Sequence, residues 1–161
     1  MAGAISSIMK YANRENKLDL RLEVAYFARS LCTRKFTSQM FICCKGLPIL
    51  IDFLDEDYSG KTELILIAID CILDLSKFQV IILTQAISKN DFCHILGRNG
   101  FLQKLAYTLR SSNFDICSLR ESNLIKISSI FLTFSFGDIE IQEIIADPSC
   151  LNGSVFLIVQ C

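Results

Sequence analysis

An all-α chain is the fold class this sequence predicts, and three features carry that reading. Apolar residues recur at helical spacing along nearly the whole length, and period-two alternation is never sustained. Turn signals fall at helix-length intervals, at Gly46 with Pro48, Ser59-Gly60, Asn99-Gly100 and Phe136-Gly137-Asp138. The third feature is internal repetition: a short helix, a middle helix and a long apolar helix follow one another twice.

In order, the spacing predicts helices over 17–32, 35–45, 47–56, 61–78, 90–98, 100–111, 120–135 and 138–146, with a last apolar piece over 153–160. Gly46 is expected to end the helix 35–45. Pro48 then sits in the first turn of the next helix, where its missing N–H costs nothing. Ser59-Gly60 separates the acidic run Asp55-Glu56-Asp57 from Lys61. Segment 61–78 is apolar almost all round, as befits a helix enclosed by neighbours rather than lying on a surface. Asn90 and Asp91 are available to cap the helix that begins there, and Asn99-Gly100 closes it. Gly137 and Asp138 stop one helix and cap another.

The repetition is the most informative pattern. Gly46-Leu47-Pro48-Ile49-Leu50-Ile51-Asp52-Phe53-Leu54 resembles Gly100-Phe101-Leu102-Gln103-Lys104-Leu105-Ala106-Tyr107-Thr108-Leu109, allowing one inserted residue. Each stretch follows a short helix, at Phe41-Ile42-Cys43-Cys44 and at Cys93-His94-Ile95-Leu96. Each precedes a long apolar one, Leu64 to Leu75 and Leu124 to Phe134. Such a unit cannot cover its own apolar faces, and stacking makes the core continuous, which predicts an armadillo/HEAT-like right-handed solenoid of three-helix repeats. The expected division is a partial repeat 1–34, repeats 35–79 and 90–136, and a partial repeat 138–161. The offset of about 54 residues exceeds the ~40–47 of such repeats, the excess falling in Lys77 to Lys89. Val155-Phe156-Leu157-Ile158-Val159 is apolar where a self-contained solenoid places a polar cap, so the chain is expected to be a fragment of a longer solenoid.

With 52% hydrophobic residues and only seven Gly and two Pro, collagen-like, low-complexity and disordered classes are excluded. Glu63, Asp70 and Asp74 interrupt the most apolar stretch, so no membrane span is expected, and Met1 to Lys10 does not read as a secretory signal. The net charge of −1 points at no nucleic acid. Its distribution is uneven: residues 1–45 hold eight basic and three acidic groups, residues 46–100 four and eight, and residues 101–161 four and six. The eight cysteines (Cys32, Cys43, Cys44, Cys71, Cys93, Cys117, Cys150 and Cys161) contain no C-x-x-C pair and have one histidine, His94, for company. That spacing argues against a metal site and for buried free thiols in a reducing cytoplasm.

The residues Cys44-Lys45-Gly46-Leu47-Pro48-Ile49-Leu50, Phe53-Leu54-Asp55-Glu56-Asp57-Tyr58, Leu66-Ile67-Ala68-Ile69-Asp70 and Asn90-Asp91-Phe92-Cys93-His94-Ile95 carry a resemblance. Over roughly residues 35–110 the chain resembles the armadillo-like region C-terminal to the kinase domain in fungal septation-initiation and mitotic-exit-network kinases. The plant MAP kinase kinase kinases of the epsilon type share that region. The resemblance implies a docking and regulatory region that engages a small GTPase or scaffold and helps place a cell-division serine/threonine kinase at the spindle pole or division site. Two alternatives remain at this point: a fragment of a whole ATP-dependent kinase, and a helical-repeat scaffold unrelated to kinases.

No catalytic residues are expected. The sequence has no glycine-rich phosphate loop, Val-Ala-Ile-Lys strand, His-Arg-Asp loop or Asp-Phe-Gly. His94 and Cys93 are adjacent on a helix and point about 100° apart, so they form no nucleophile–base pair and His94 reads as structural. Asp70 and Asp74 lie one turn apart without a metal partner, and Arg34 and Lys35 lack a glycine cradle for phosphate. No metal or cofactor is expected. Binding fits better: aligning the long helices places Arg29, Asp74 and Thr133 in one row and Ala25, Asp70 and Ser129 in another. Arg29, Asp70, Asp74, Ser129 and Thr133 are therefore the candidate partner-binding residues. Neither row carries the Trp and Asn that suit extended basic peptides.

Overall fold

The computed structural model describes the backbone of residues 2–54, 62–81, 89–110 and 121–150, and side chains over 3–54, 62–76, 94–107 and 125–150. Among the described residues no strand occurs, in accord with the all-α prediction. The elements are α1 (Ala2–Met9), a 3₁₀ turn (Lys10–Ala12), α2 (Leu18–Cys32), α3 (Lys35–Cys43), α4 (Gly46–Leu54), α5 (Thr62–Ile81), α6 (Lys89–Arg98), α7 (Phe101–Arg110), α8 (Glu121–Ser135) and α9 (Ile139–Ala146). All eight predicted helices are present, with ends shifted by a few residues. The apolar piece 153–160 lies outside the described residues, as do Ser59-Gly60 and the side chains of Asn90 and Asp91. No single described helix is long and apolar enough to cross a membrane; α3 and α4 pass only as a pair bent by 84°.

The chain divides into two compact units, Met1–Leu75 and Ser76–Cys161, with the boundary inside α5. In the first unit, α1 is an addition to the prediction. Gly3, Ser6 and Ser7 give it weak propensity. Burial holds it instead: Ile5, Met9 and Ala12, spaced i, i+4, i+7, are all in the core. Arg21 of α2 is buried among them. Its Nε donates to the Ala12 carbonyl at 3.0 Å, and its guanidinium lies 5.7 Å from the Phe53 ring centroid. One cation thus ties the 3₁₀ turn and α4 to α2. At the α2–α3 corner, the Thr37 hydroxyl reaches the carbonyls of Leu31 and Arg34 at 2.6 and 3.1 Å. Over residues 62–76, α5 is buried on most sides, with Leu64, Ile65, Ala68, Ile69, Cys71 and Ile72 fully enclosed.

The α3–α4 turn departs from the reading of Gly46 as a helix terminator. The left-handed residue there is Lys45, with φ 61°, and Gly46 is the first residue of α4. Gly46 is needed for space: a Cβ at that position would lie 2.3 Å from the edge of the fully buried Phe41 ring. In the matching stretch, Gly100 does take the left-handed conformation, with φ 71°, and precedes α7. The two turns share a glycine for different reasons.

In the second unit, Phe101 of α7 and Phe134 of α8 meet with ring centroids 6.1 Å apart and planes tilted by 32°, both buried. Leu96, Leu105, Ile130 and Ile141 are among the other fully buried residues of that unit. Gly137 and Asp138 behave as predicted: the Gly137 N–H donates to Phe134, and the Asp138 carboxylate accepts from the Ile141 N–H at 3.2 Å. Of the described cysteines, Cys32, Cys71 and Cys150 are buried free thiols. Cys44 is half-buried, and Cys43 is exposed because it ends α3 on that helix's outward face.

Replacing Gly46 by Ala is expected to lower stability by about 1–3 kcal/mol, as overpacking does in a filled core. Gly3→Ala, with nothing within 4 Å of its Cβ, should leave stability unchanged or slightly raised. Urea denaturation midpoints of the two variants check the contrast; equal midpoints would contradict it.

Candidate functional site

The first unit brings three of the five candidate residues to one seam. Arg29 Nη2 of α2 lies 3.0 Å from Asp70 Oδ2 of α5. Three residues earlier on α2 and seven earlier on α5, the Tyr26 hydroxyl donates to the Glu63 carboxylate, which holds the phenol's pKa above its ordinary value. Three residues later on α2 and one later on α5, the fully buried Cys32 thiol interacts with the equally buried Cys71, near Asp74. That contact first, then burial and the nearby Asp74 charge, keep Cys32 protonated. These pairs ascend both helices in the same sense, so α2 and α5 run parallel. The partner of each α2 residue lies about forty residues on, the length of one armadillo-type repeat.

Arg29 pairs with Asp70, where the predicted rows set it level with Asp74. Ala25, placed in a surface row, is fully buried and lines no surface. Asp70 is also more structural than expected. Its side chain is 15% exposed against 47% for Arg29, so the carboxylate sits in the seam while the guanidinium keeps an outward edge. A guanidinium has five N–H donors, and that edge remains able to meet a carbonyl or carboxylate. The ion pair itself is worth about 0–1 kcal/mol, since one partner is half in water.

Ser129 and Thr133 lie on α8, in the second unit. Both are half-buried and bond back to their own helix, Ser129 Oγ to the Ile125 carbonyl at 2.8 Å and Thr133 Oγ1 to the Ser129 carbonyl at 2.9 Å. Their hydroxyl protons are committed, and what they offer outward is acceptor lone pairs.

A second polar cluster escaped the sequence reading. His94 and Arg98, one turn apart on α6, meet the start of α9. His94 Nε2 lies 2.9 Å from Asp138 Oδ2, and Nδ1 is 3.6 Å from Glu140 Oε2. Arg98 places Nε and Nη2 at 3.2 and 3.1 Å from Glu140 Oε1. Asp138 is simultaneously the cap of α9, and the His94 hydrogen bond above all holds its carboxyl below the usual carboxylate range. The His94–Arg98 spacing and the Asp138 cap are legible locally. The pairing of α6 with α9 across 44 residues is not. Among the described residues, no group of three or more His, Cys, Asp or Glu side chains is arranged to hold a metal ion.

Against known proteins, the chain is 40% identical over 114 residues to MAP3K epsilon protein kinase 2 of Arabidopsis thaliana, a match covering 69% of this chain and 8% of that protein. It is 32% identical over 151 residues to Cytokinesis protein sepH of Aspergillus terreus, covering 93% of the chain and 11% of the relative. Cell division control protein 7 of Schizosaccharomyces pombe is 28% identical over 152 residues, with 94% and 14% covered. The chain therefore matches one region of these kinases and spans about a tenth of their length. No protein-family profile matches it, and no solved structure does.

The His94–Asp138 bond makes an acid-titration prediction. A carboxyl whose folded pKa is depressed adds stability above its unfolded pKa, near 3.9, and loses it as pH falls toward the folded value. Without the imidazole, Asp138 should protonate closer to its ordinary value, so His94→Ala should lose helical signal at higher pH than the parent on acidification. Circular dichroism read from pH 6 downward checks it, and superimposable titrations would contradict it.

Proposed function

We propose that this chain is a non-catalytic protein-interaction region that helps regulate or localise a cell-division serine/threonine protein kinase. The observation that carries the reading is the overlap. Some 93% of the chain aligns with Cytokinesis protein sepH while covering only 11% of it. The sequence itself contains none of the phosphate-loop, His-Arg-Asp or Asp-Phe-Gly elements that phosphoryl transfer needs. In this reading the ATP-dependent catalytic domain belongs to the remainder of a parent protein.

The proposed architecture is an armadillo-like solenoid. Its support is the parallel run of α2 and α5 at about one repeat length, together with the repeated short, middle and long helices. Such stacks work by presenting surfaces, and the outward edge of Arg29 with Asp74 in the first unit, and Ser129 and Thr133 in the second, are the proposed contacts. The proposed partner is a small GTPase or a scaffold protein. The proposed place of action is the cytoplasm, at the spindle pole or division site, in keeping with relatives named for cytokinesis and cell division.

Deleting residues 1–161 from the parent protein tests this directly. The expected outcome is retained phosphorylation of a generic substrate by the purified kinase, with loss of its concentration at the division site and delayed septation. Unchanged localisation and division would contradict the proposal. So would loss of catalysis with localisation intact.

A further inference from the structure

The α3 face is a different surface from the α2–α5 seam. Ser38 and Phe41 turn inward, while Phe36, Gln39, Met40 and Cys43 share the opposite side. Phe36 is 68% exposed, an unusual setting for a phenylalanine, and with half-buried Met40 and exposed Cys43 it forms an i, i+4, i+7 apolar stripe. Cations bracket that stripe: Arg34 and Lys35 at its start and Lys45 at its end are all exposed. None of the three makes an ion pair among the described residues. The chain holds no Asp or Glu between Glu23 and Asp52.

We infer that the outward face of α3 docks an acidic amphipathic helix of a partner protein. Charge complementarity selects the occupant, since carboxylates at both ends of a partner's apolar stripe would meet Arg34 and Lys35 at one end and Lys45 at the other. Phe36, Met40 and Cys43 supply what a purely electrostatic site lacks: an aromatic anchor with apolar contacts spaced for a helix. Three cations are few for a nucleic-acid backbone, where affinity grows with each phosphate neutralised. The inference rests on the reading of the chain as an interaction region but uses none of the seam residues.

The test uses the whole 161-residue chain and a fluorescent synthetic helical peptide with leucines at i, i+4 and i+7 between two turns of Glu and Asp. Fluorescence anisotropy should show binding. Arg34→Glu with Lys35→Glu should weaken it by about tenfold or more, and Phe36→Ala by about tenfold. These side chains are exposed, and unchanged circular dichroism of the variants secures that comparison. Equal binding of a peptide with Lys in place of its acidic residues, or no binding at all, would overturn the inference. So would sedimentation of the chain with phosphatidylserine vesicles through these same residues, which would make the surface a membrane contact. A localisation defect on deleting the whole region, without binding of the peptide, would keep the interaction reading and remove this surface from it.

Discussion

The parallel contact between α2 and α5 is the constraint on which the first unit depends. Ala25, Ala28 and Cys32 of α2 and Ala68 and Cys71 of α5 are all fully buried. Polar bridges join the two helices, Tyr26 to Glu63 and Arg29 to Asp70. The bridges add little energy where they meet water. Their contribution is to register: a slip of one turn would set Arg29 against a different residue and leave the half-buried Asp70 carboxylate without its cation.

Around that contact the rest of the first unit is fastened by Arg21, whose buried guanidinium gives the 3₁₀ turn a donor and the Phe53 ring a cation. A buried arginine left without these partners would cost far more than it gives with them. The second unit uses the same economy differently. His94 and Arg98 meet Asp138 and Glu140 at the first turn of α9, where negative charge also suits the helix dipole. Both units therefore hold their helices by apolar burial and set the register with a few charged pairs.

Much of the fold was legible because helical periodicity and turn chemistry are local. The Gly137-Asp138 stop and cap lie within a few residues of what they control, and the sequence predicts them correctly. Helix α1 was missed because Gly and Ser lower its propensity, although the spacing of Ile5, Met9 and Ala12 was there to be read. Gly46 was assigned the wrong cause: no local pattern shows that the Phe41 ring fills the space over it. The rows set Arg29 level with Asp74 while its ion pair is with Asp70, because an apolar pattern fixes which face is buried. It does not fix how far one helix slides along its neighbour. The His94 cluster was invisible for a related reason, since complementary charges far apart in sequence meet only once the helices have packed.

The seam is most directly tested by cross-linking in solution. With every cysteine except the buried Cys32, Cys71 and Cys150 replaced by Ser, Tyr26→Cys can be paired with Glu63→Cys, or with Asp74→Cys as the antiparallel control. A short bismaleimide should bridge the 26–63 pair within one chain, seen as a single cross-linked peptide by mass spectrometry, and should not bridge 26–74. Preferential bridging of 26–74, or equal bridging of both, would contradict the parallel register of α2 and α5, and with it the structural support for repeat-like stacking.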